Sequence, residues 1–403
     1  MTTPTARSPR VLRDLNRDAA LRFAFGTGEF TATEAMRATG LTRATVLAVC
    51  AELTAAGWLT ELDDSRVAGL TSLGRPARRY QLNATAGLVV GVDAAERAIR
   101  VLVADLRGHE LASRTVAVDP AVVDGPGRLE QVDLLVAAAL ADAGCTREQV
   151  LLTVVGVPAP VDKHGRSPVG RGTYWPVMNP GYVDHLAGEV VVENDANLAA
   201  LAEHAHHDIG NLAVLLMGER VGAGLIVDGE LLRGRRGGAG ELRLMDVVID
   251  ADLGLGLPST GGFGMLARDL ARAWLTGTDE PSRLREAPLD QVEAAAVLQA
   301  ARDGDPLAGR VVDRLGDRLA RIAVVLESLL DVEQVVVAGD VAGIIGPVLD
   351  RARTVLHQEF EPPFPELVPS GLGDDVVVRG AVQDATRRIR ELPSLRLPLA
   401  ERA

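Results

Sequence analysis

From Leu88 onward, short apolar runs alternate with segments that keep helical spacing, and this alternation restricts the fold more than any other feature of the sequence. Strands that alternate with helices are typical of α/β proteins. We therefore predict an α/β body. The predicted strands are Leu88–Val92, Ile99–Ala104, Leu151–Val157, Val190–Glu193 and Leu212–Met217; the predicted helices are Gly127–Ala143, Ala196–His204, Phe263–Leu275, Pro306–Leu330 and Ile344–His357.

The N-terminal region has a different pattern, in which two short helices precede a strand. We predict a first helix over Phe30–Thr39 and, after a glycine turn, a second helix that runs to residues 55–56. Thr42 is typical of a helix N-cap, and Gly57 suits a left-handed position after the helix. With the strand Trp58–Leu62 and a connector over Tyr80–Gly87, this order favours a winged helix-turn-helix.

The second of these helices carries candidate DNA contacts. Thr42, Arg43 and Thr45 lie in its first turn, where a recognition helix meets base edges and phosphates. A helical bundle or a winged helix that binds protein is the alternative, since such folds also mediate dimerisation. The positions predicted to form the core face of this helix are Val46, Val49, Cys50 and Leu53.

Three arginines, Arg75, Arg78 and Arg79, lie close together in the segment Gly74–Tyr80. An extended chain of this kind fits the narrow minor groove of DNA, where the negative potential is enhanced. A solvated basic linker is the alternative.

The charge distribution supports an N-terminal DNA contact. Residues 1–85 contain eleven arginines against eight Asp and Glu, a balance of +3, and since the whole chain carries −13, the rest carries −16. An acidic body repels a polyanion, so we expect any nucleic-acid contact to be confined to residues 1–85.

Composition excludes several classes of protein. The chain has 403 residues, of which 47% are hydrophobic, and its apolar runs are far shorter than the roughly 20 residues that span a bilayer. We expect a cytoplasmic protein of two or three domains without a membrane segment. Cys50 and Cys145 lack the spacing of a disulfide framework or a zinc cluster.

A set of short motifs together resembles the ROK family, which groups bacterial sugar-responsive repressors with sugar kinases. The resemblance implies an N-terminal winged helix-turn-helix (1–85) and a two-lobed, actin-like (ribonuclease-H-like) body with a ligand cleft. Its lobes would span 86–192, completed by helix 381–392, and 193–380, in a homodimer or tetramer. The motifs are Gly40–Val46, Gly74–Pro76, Gly156–Pro158, Glu193–Asn197 with Glu203, Gly222–Gly224, Gly229 and Gly237–Glu241.

In the cleft, the resemblance assigns Asp195 to the family's catalytic base, and Asn194 and Glu241 to its sugar ligands. Two alternatives stay open. Asn194 and Asp195 could simply cap the following helix, and Glu241 could be a solvated carboxylate beside three nearby arginines.

The nucleotide side of the cleft departs from the family pattern. The turn Ala94–Ala98 has neither the glycine nor the hydroxyl that a phosphate loop needs. Glu219 stands where the kinases have Thr, and Asp340 stands where they have a second glycine. Leu244 replaces a His that contacts sugar and zinc, and no cysteine cluster follows it. We therefore expect no ATP binding, no cofactor and no metal.

These features predict a transcriptional regulator, a repressor of operator DNA that senses a sugar-like or other small polar effector in a catalytically inactive cleft. The recognition helix itself departs from related repressors at Leu47 and Ala48, where they commonly have polar and basic residues. A sugar kinase with a DNA-binding appendage is one alternative. An effector-independent DNA-binding protein whose body only mediates dimerisation is the other.

Overall fold

The N-terminal region is a winged helix-turn-helix, as predicted. The computed structural model describes residues 9–62, 78–169, 172–207, 209–217, 220–242 and 262–391. In the small sheet, β3 lies between β1 and β2 and is antiparallel to both. The elements are α1 (Pro9–Gly26), β1 (Phe30–Thr31), α2 (Ala32–Thr39), α3 (Arg43–Ala55), β2 (Leu59–Leu62) and β3 (Arg79–Leu82).

Local side chains fix the ends of α3. The Thr42 hydroxyl accepts a hydrogen bond from the backbone N–H of Thr45 at 3.3 Å, so the predicted N-cap is confirmed. Gly57 has a φ of +80°, the left-handed conformation expected after the helix. The four residues of the predicted core face are all buried, and they are Val46, Val49, Cys50 and Leu53.

The predicted start of the first helix is wrong by two residues. Phe30 and Thr31 form β1, and α2 begins at Ala32. The reason is a capping box: the Thr31 hydroxyl accepts the N–H of Glu34, and the Glu34 carboxylate accepts the N–H of Thr31 at 2.6 Å.

The predicted connector Tyr80–Gly87 is also wrong at its beginning, because Arg79–Leu82 form β3. Tyr80 is buried against Phe30, with 5.9 Å between the ring centroids. The segment therefore completes the core of the N-terminal domain before the chain enters the body.

The first sheet of the body has the strand order β6-β5-β4-β7-β8. β4 pairs with β7, and β7 with β8, in parallel, whereas β4–β5 and β5–β6 are antiparallel. Its elements are β4 (Leu88–Ala94), β5 (Ala98–Asp105), β6 (Glu110–Ala117), α4 (Gly125–Asp142), β7 (Val150–Val157), α5 (Tyr174–Met178), α6 (Tyr182–His185) and β8 (Val190–Asn194).

The second sheet repeats this arrangement, with the order β11-β10-β9-β12-β13. In each sheet the first strand lies in the centre. On one side of it, two strands follow in consecutive antiparallel pairs; on the other side, two strands follow in consecutive parallel pairs. This repeat is the two-lobed, actin-like architecture. The elements are α7 (Asp195–His207), β9 (Leu212–Met217), β10 (Val221–Val227), β11 (Glu230–Leu231), α8 (Phe263–Gly277), α9 (Ala294–Arg302), α10 (Pro306–Leu330), β12 (Gln334–Ala338), α11 (Gly346–Glu359), β13 (Glu366–Pro369) and α12 (Val376–Glu391).

Helices α7 and α12 lie between the sheets. α12 packs against α7 and against β4, β5 and β7, while α7 packs against β9 and β10. The two helices cross closely because residue 380 is glycine: a Cβ there would lie 1.9 Å from the carbonyl oxygen of Leu198. In the described ranges, no helix is long and apolar enough to cross a membrane.

Candidate functional site

A cavity of about 630 Å³ opens between the two sheets. It lies at the carboxyl ends of β4 and β8 in the first sheet and of β9 and β12 in the second, the edge at which α/β proteins commonly bind ligands. Its charged lining residues are Asp93, Glu96, Arg97, Arg100, Asp195, Arg220, Glu241, Asp340 and Asp374.

The junction of β8 and α7 brings Asn194 and Asp195 into this cavity. The Asn194 side chain accepts the N–H of Asn197 at 3.1 Å and donates to the carbonyl of Ala159 at 3.1 Å. Asp195 accepts the N–H of Ala196 at 2.7 Å. Asn194 thus caps the first turn of α7 while both residues line the cleft, so the capping role and a ligand-binding role are compatible.

Asp195 lies in a strongly negative environment. Burial raises its pKa to about 8, and the nearby carboxyl groups of Asp93 and Glu241 contribute to this rise. Burial also raises the pKa of Asp93, to about 6, although Arg100 at 3.1 Å opposes the change. Both shifts favour the protonated forms of these carboxyl groups.

Glu241 enters the cleft at the end of a glycine loop. Gly237 and Gly240 have φ values of +69° and +82°. A Cβ at Gly237 would lie 1.8 Å from the carbonyl oxygen of Val161, and one at Gly240 would lie 1.8 Å from that of Ala223. Both positions require glycine because the loop passes directly over backbone from both lobes.

Of the three arginines near Glu241, Arg233 has a different partner. Its Nε donates to Glu193 at 2.7 Å, and the Glu193 side chain is only 6% exposed. Glu193 also accepts the side-chain amide of Asn197 at 2.9 Å. This ion pair joins the glycine loop to the end of β8. Glu241 itself is half-buried, so it is not a fully solvated carboxylate.

The turn between β4 and β5 is held by a buried arginine that the sequence analysis missed. Arg128 of α4 is fully buried, and its guanidinium donates to the carbonyls of Ala94 and Ala95, both at 2.6 Å. A signal was available: Arg128 shares a helix face with the buried Val132 and Val136, at four-residue spacing. A cation on an apolar face normally has a buried partner.

A second contact joins the lobes across the cleft. The Tyr174 hydroxyl donates to Glu96 at 3.0 Å, and the Arg220 guanidinium lies over the Tyr174 ring at 3.7 Å. Arg220 Nε is 3.8 Å from the Glu96 carboxylate. We call these three residues the clasp. It connects the β4–β5 turn of the first lobe with the start of β10 in the second.

A model of the ROK family matches residues 89–387, which is more than half of the chain. The chain belongs to the ROK family.

The relatives of this ROK protein include regulators and kinases. The xylose repressor of Caldicellulosiruptor bescii is 24% identical over 394 residues, covering 92% of this chain and 95% of the repressor. The crystal structure of a ROK family transcriptional regulator, a homologue of the Escherichia coli MLC protein, matches at 21% identity with a TM-score of 0.69, covering 96% and 99% of the two chains. A ROK family glucokinase from Streptomyces griseus, in complex with glucose and AMPPNP, matches at 27% identity with a TM-score of 0.60, covering 75% of this chain and 100% of that chain.

In this ROK protein, the clasp lies where the family resemblance assigns the phosphate loops. The carbonyls of the β4–β5 turn face Arg128, and Glu96 extends into the cavity. An anionic phosphate near Glu96 would meet repulsion that a partly buried cleft magnifies. On the adenine side, Asp340 lines the cavity after Gly339, whose φ of +99° fits its close approach to Met217.

Two further departures, Glu219 and Leu244, lie outside the described residues. So does most of the segment 249–264, the part of the chain after Leu244 in which the cysteine cluster is missing. Among the residues that the structure does describe, no three His, Cys, Asp or Glu side chains could hold one metal ion. The expectation of no metal stays a prediction.

The candidate DNA contacts fall into two groups. Arg43 is exposed at the start of α3, beside Thr42 and Thr45, whose hydroxyls lie 2.9 Å apart. Arg78 and Arg79 flank the start of β3 but face carboxylates, Glu61 at 3.3 Å and Glu29 at 2.8 Å. Exposed pairs of this kind contribute little to stability, so breaking them to contact phosphate would cost little. The third arginine of this group, Arg75, lies outside the described residues.

Proposed function

We propose that this ROK protein is a DNA-binding transcriptional regulator, a repressor, whose interlobe cleft binds a small polar effector without transferring phosphate. The observation that carries this proposal is the match to the xylose repressor over 92% of this chain and 95% of the repressor, which leaves too few residues unmatched to exclude the N-terminal domain. Thr42, Arg43, Thr45, Arg75, Arg78 and Arg79 are its proposed DNA contacts, and Asn194, Asp195 and Glu241 its proposed effector contacts. The domain bounds and a homodimer or tetramer remain part of the proposal.

The charge distribution supports DNA binding by the N-terminal domain. Since residues 86–403 are strongly acidic, phosphate contacts must come from the basic segment. Arg43 is exposed, and it is the arginine of the first turn of α3. The neighbouring Leu47 and Ala48 are also exposed and offer apolar contacts such as those made with thymine methyl groups.

The test is a DNA selection with the full-length protein from a random-sequence duplex pool, followed by anisotropy titrations at several salt concentrations. We expect Arg43→Ala to weaken binding by about tenfold and, where Arg43 meets a phosphate, to reduce the salt slope by about one. Arg283→Ala is the matched control, because Arg283 is an exposed, ion-paired arginine of the acidic body. If no duplex is enriched, the proposed DNA-binding role is wrong. If a duplex is enriched but Arg43→Ala binds it as tightly as wild type and Arg283→Ala do, Arg43 is not one of the DNA contacts.

A sugar kinase carrying a DNA-binding domain is the second candidate. The similarity to the Streptomyces griseus glucokinase and the presence of Asp195 at the cleft favour it. A coupled assay with MgATP and a hexose panel separates the two functions. We expect no turnover; turnover that disappears in Asp195→Asn would establish the kinase.

A further inference from the structure

A second cavity lies where the body meets the N-terminal domain, and we call it the junction cavity. Its volume is about 540 Å³, within the roughly 300–1,000 Å³ that is typical of sites for small molecules. One face of α12, the last turns of α7 and the β5–β6 turn form its walls. It shares no lining residue with the cleft between the lobes, so it is a separate cavity.

The walls of the junction cavity are basic. Among the described residues, four arginines and two acidic residues line it, whereas residues 86–403 as a whole carry −16. A basic concavity in an acidic body attracts small anions. The arginines are Arg107, Arg379, Arg387 and Arg390, and the acidic residues are Glu110 and Asp384.

Two of these arginines already have carboxylate partners. Arg387 donates to the buried Asp384 at 2.6 Å and to Glu391 at 2.5 Å. Arg379 lies 3.8 Å from the carboxylate of Asp375. We therefore assign neither of them to a ligand.

The other two, Arg107 and Arg390, have no ion pair among the residues that the structure describes. Arg107 donates to the backbone carbonyl of Thr27 at 3.1 Å, and Arg390 lies 6.0 Å from the ring of Phe25. Because Phe25 and Thr27 are two residues apart, these contacts bring both guanidinium groups to the same end of α1. A guanidinium has five N–H donors, so most of the donors of this pair are available to a ligand.

Two like charges in one corner of a cavity repel each other, and an anion between them removes this cost. A guanidinium binds phosphate through two parallel N–H···O bonds. A phosphate monoester carries nearly two negative charges at pH 7, which matches two arginines better than a single carboxylate does.

The cavity also has an apolar wall. Leu102 and Val382 are buried there, and Leu201 and Leu372 are partly buried. Inorganic phosphate would leave this surface in contact with water, whereas a ligand with an organic part would cover it.

We propose that the junction cavity is a second ligand site and that it binds a small organic phosphate. Arg107 and Arg390 hold the phosphate group, and the organic part covers the apolar wall. A phosphate of the DNA backbone is the other source of the same group. The concave shape of the site and the acidic body around it favour a free small molecule.

The test compares phosphorylated probes with their neutral partners. Calorimetry with the full-length protein at fixed ionic strength would measure glucose 6-phosphate against glucose, AMP against adenosine, and inorganic phosphate alone. We expect the tighter of the two organic phosphates to bind at least tenfold more tightly than its neutral partner and than inorganic phosphate. This ligand should also slow hydrogen exchange in residues 25–29 and 105–109, which would locate it at the junction.

Arg107→Ala and Arg390→Ala should each weaken this binding about tenfold, since each removes a charge-assisted contact to phosphate. Thermal unfolding without ligand is the folding check. Arg283→Ala, which removes an exposed, ion-paired arginine outside the cavity, is the matched control and should bind like wild type.

Three results of the binding experiments would overturn the inference: equal binding of the neutral partner or of inorganic phosphate, unchanged binding in both arginine variants, or no binding of either organic phosphate at millimolar concentration. A tenfold loss of DNA affinity in Arg390→Ala, measured without phosphate, would assign this arginine to DNA and would also overturn it. The DNA selection uses ligand-free protein and therefore decides the proposed function separately.

Discussion

At the scale of single residues, Gly240 shows how a residue without a side chain can position its charged neighbour, Glu241. Its φ of +82° lies in the left-handed region, and its carbonyl accepts the N–H of Ala223 at 3.1 Å. The loop therefore lies directly on β10, and Glu241 follows into the cleft. By contrast, a Cβ at Gly238 would meet no atom within 4 Å, and the φ of Gly238 lies outside the left-handed region.

We predict that Gly240→Ala lowers the free energy of unfolding by about 2–4 kcal/mol, because the left-handed conformation and the clash with Ala223 add. Gly238→Ala, in the same loop, should change it by less than about 0.5 kcal/mol. Denaturant unfolding of both variants provides the comparison. Equal effects would mean that the loop moves freely and does not fix Glu241.

Some residues of the cleft could be predicted because they belong to one contiguous motif. Contacts between segments that are distant in the sequence could not. Asn194 and Asp195 follow a strand and begin a helix, so their position at the cleft could be read from local sequence. The contact of Arg220 with Tyr174 and Glu96 depends on how two lobes close, and no local pattern encodes it.

At the scale of elements, the β4–β5 turn has a conformation built around Arg128. Two turn carbonyls accept the guanidinium at 2.6 Å, and that of Glu96 accepts it at 3.4 Å. In this turn the backbone carbonyls bind the Arg128 guanidinium. The turn therefore does not need glycine residues that would bring backbone N–H groups close to a ligand. This contact also orients Glu96 toward Tyr174, its partner in the clasp.

Replacing Arg128 with Met keeps most of the side-chain volume but leaves these carbonyls without a donor. We predict a loss of about 2–4 kcal/mol in unfolding free energy and faster hydrogen exchange in residues 94–98. Arg147→Met is the control: Arg147 donates to the Asp133 carbonyl at 2.8 Å but is partly exposed, so its loss should cost less than about 1 kcal/mol. An Arg128 variant as stable as the control would contradict the assigned role.

The strand β10 was not among the strands predicted from the sequence, and this has a physical reason. β10 contains Gly222 and Gly224, residues that weaken any strand pattern. A Cβ at Gly224 would lie 2.1 Å from the carbonyl oxygen of Ala196, so the glycine serves the packing of α7 on the sheet. Glycine at residue 224 lowers the strand propensity of β10 but allows close contact between β10 and α7. The sequence near β10 does not reveal that α7 packs there.

At the scale of the whole molecule, α12 connects the cleft with the N-terminal domain. Val376 and Val377 at its start line the cavity, and Arg390 near its end lies 6.0 Å from the ring of Phe25 in α1. Beside it, Arg107 of the β5–β6 turn donates to the carbonyl of Thr27 at 3.1 Å. A shift of α12 caused by a ligand would therefore reach α1 directly, since packed helices move as rigid units.

The last prediction concerns this junction. Arg107→Ala removes the hydrogen bond to Thr27 without touching the cleft or α3, so ligand-free DNA affinity and effector affinity should each stay within about threefold of wild type. Coupling between the sites is reciprocal and typically amounts to about 1–3 kcal/mol. We expect Arg107→Ala to lose most of this coupling, so that a saturating ligand of the cleft no longer changes DNA affinity in anisotropy titrations. Arg379→Ala, on α12 with its exposed ion pair to Asp375, is the control and should keep the coupling. If Arg107→Ala responds to the ligand as wild type does, the signal travels by another route, through the clasp or between subunits.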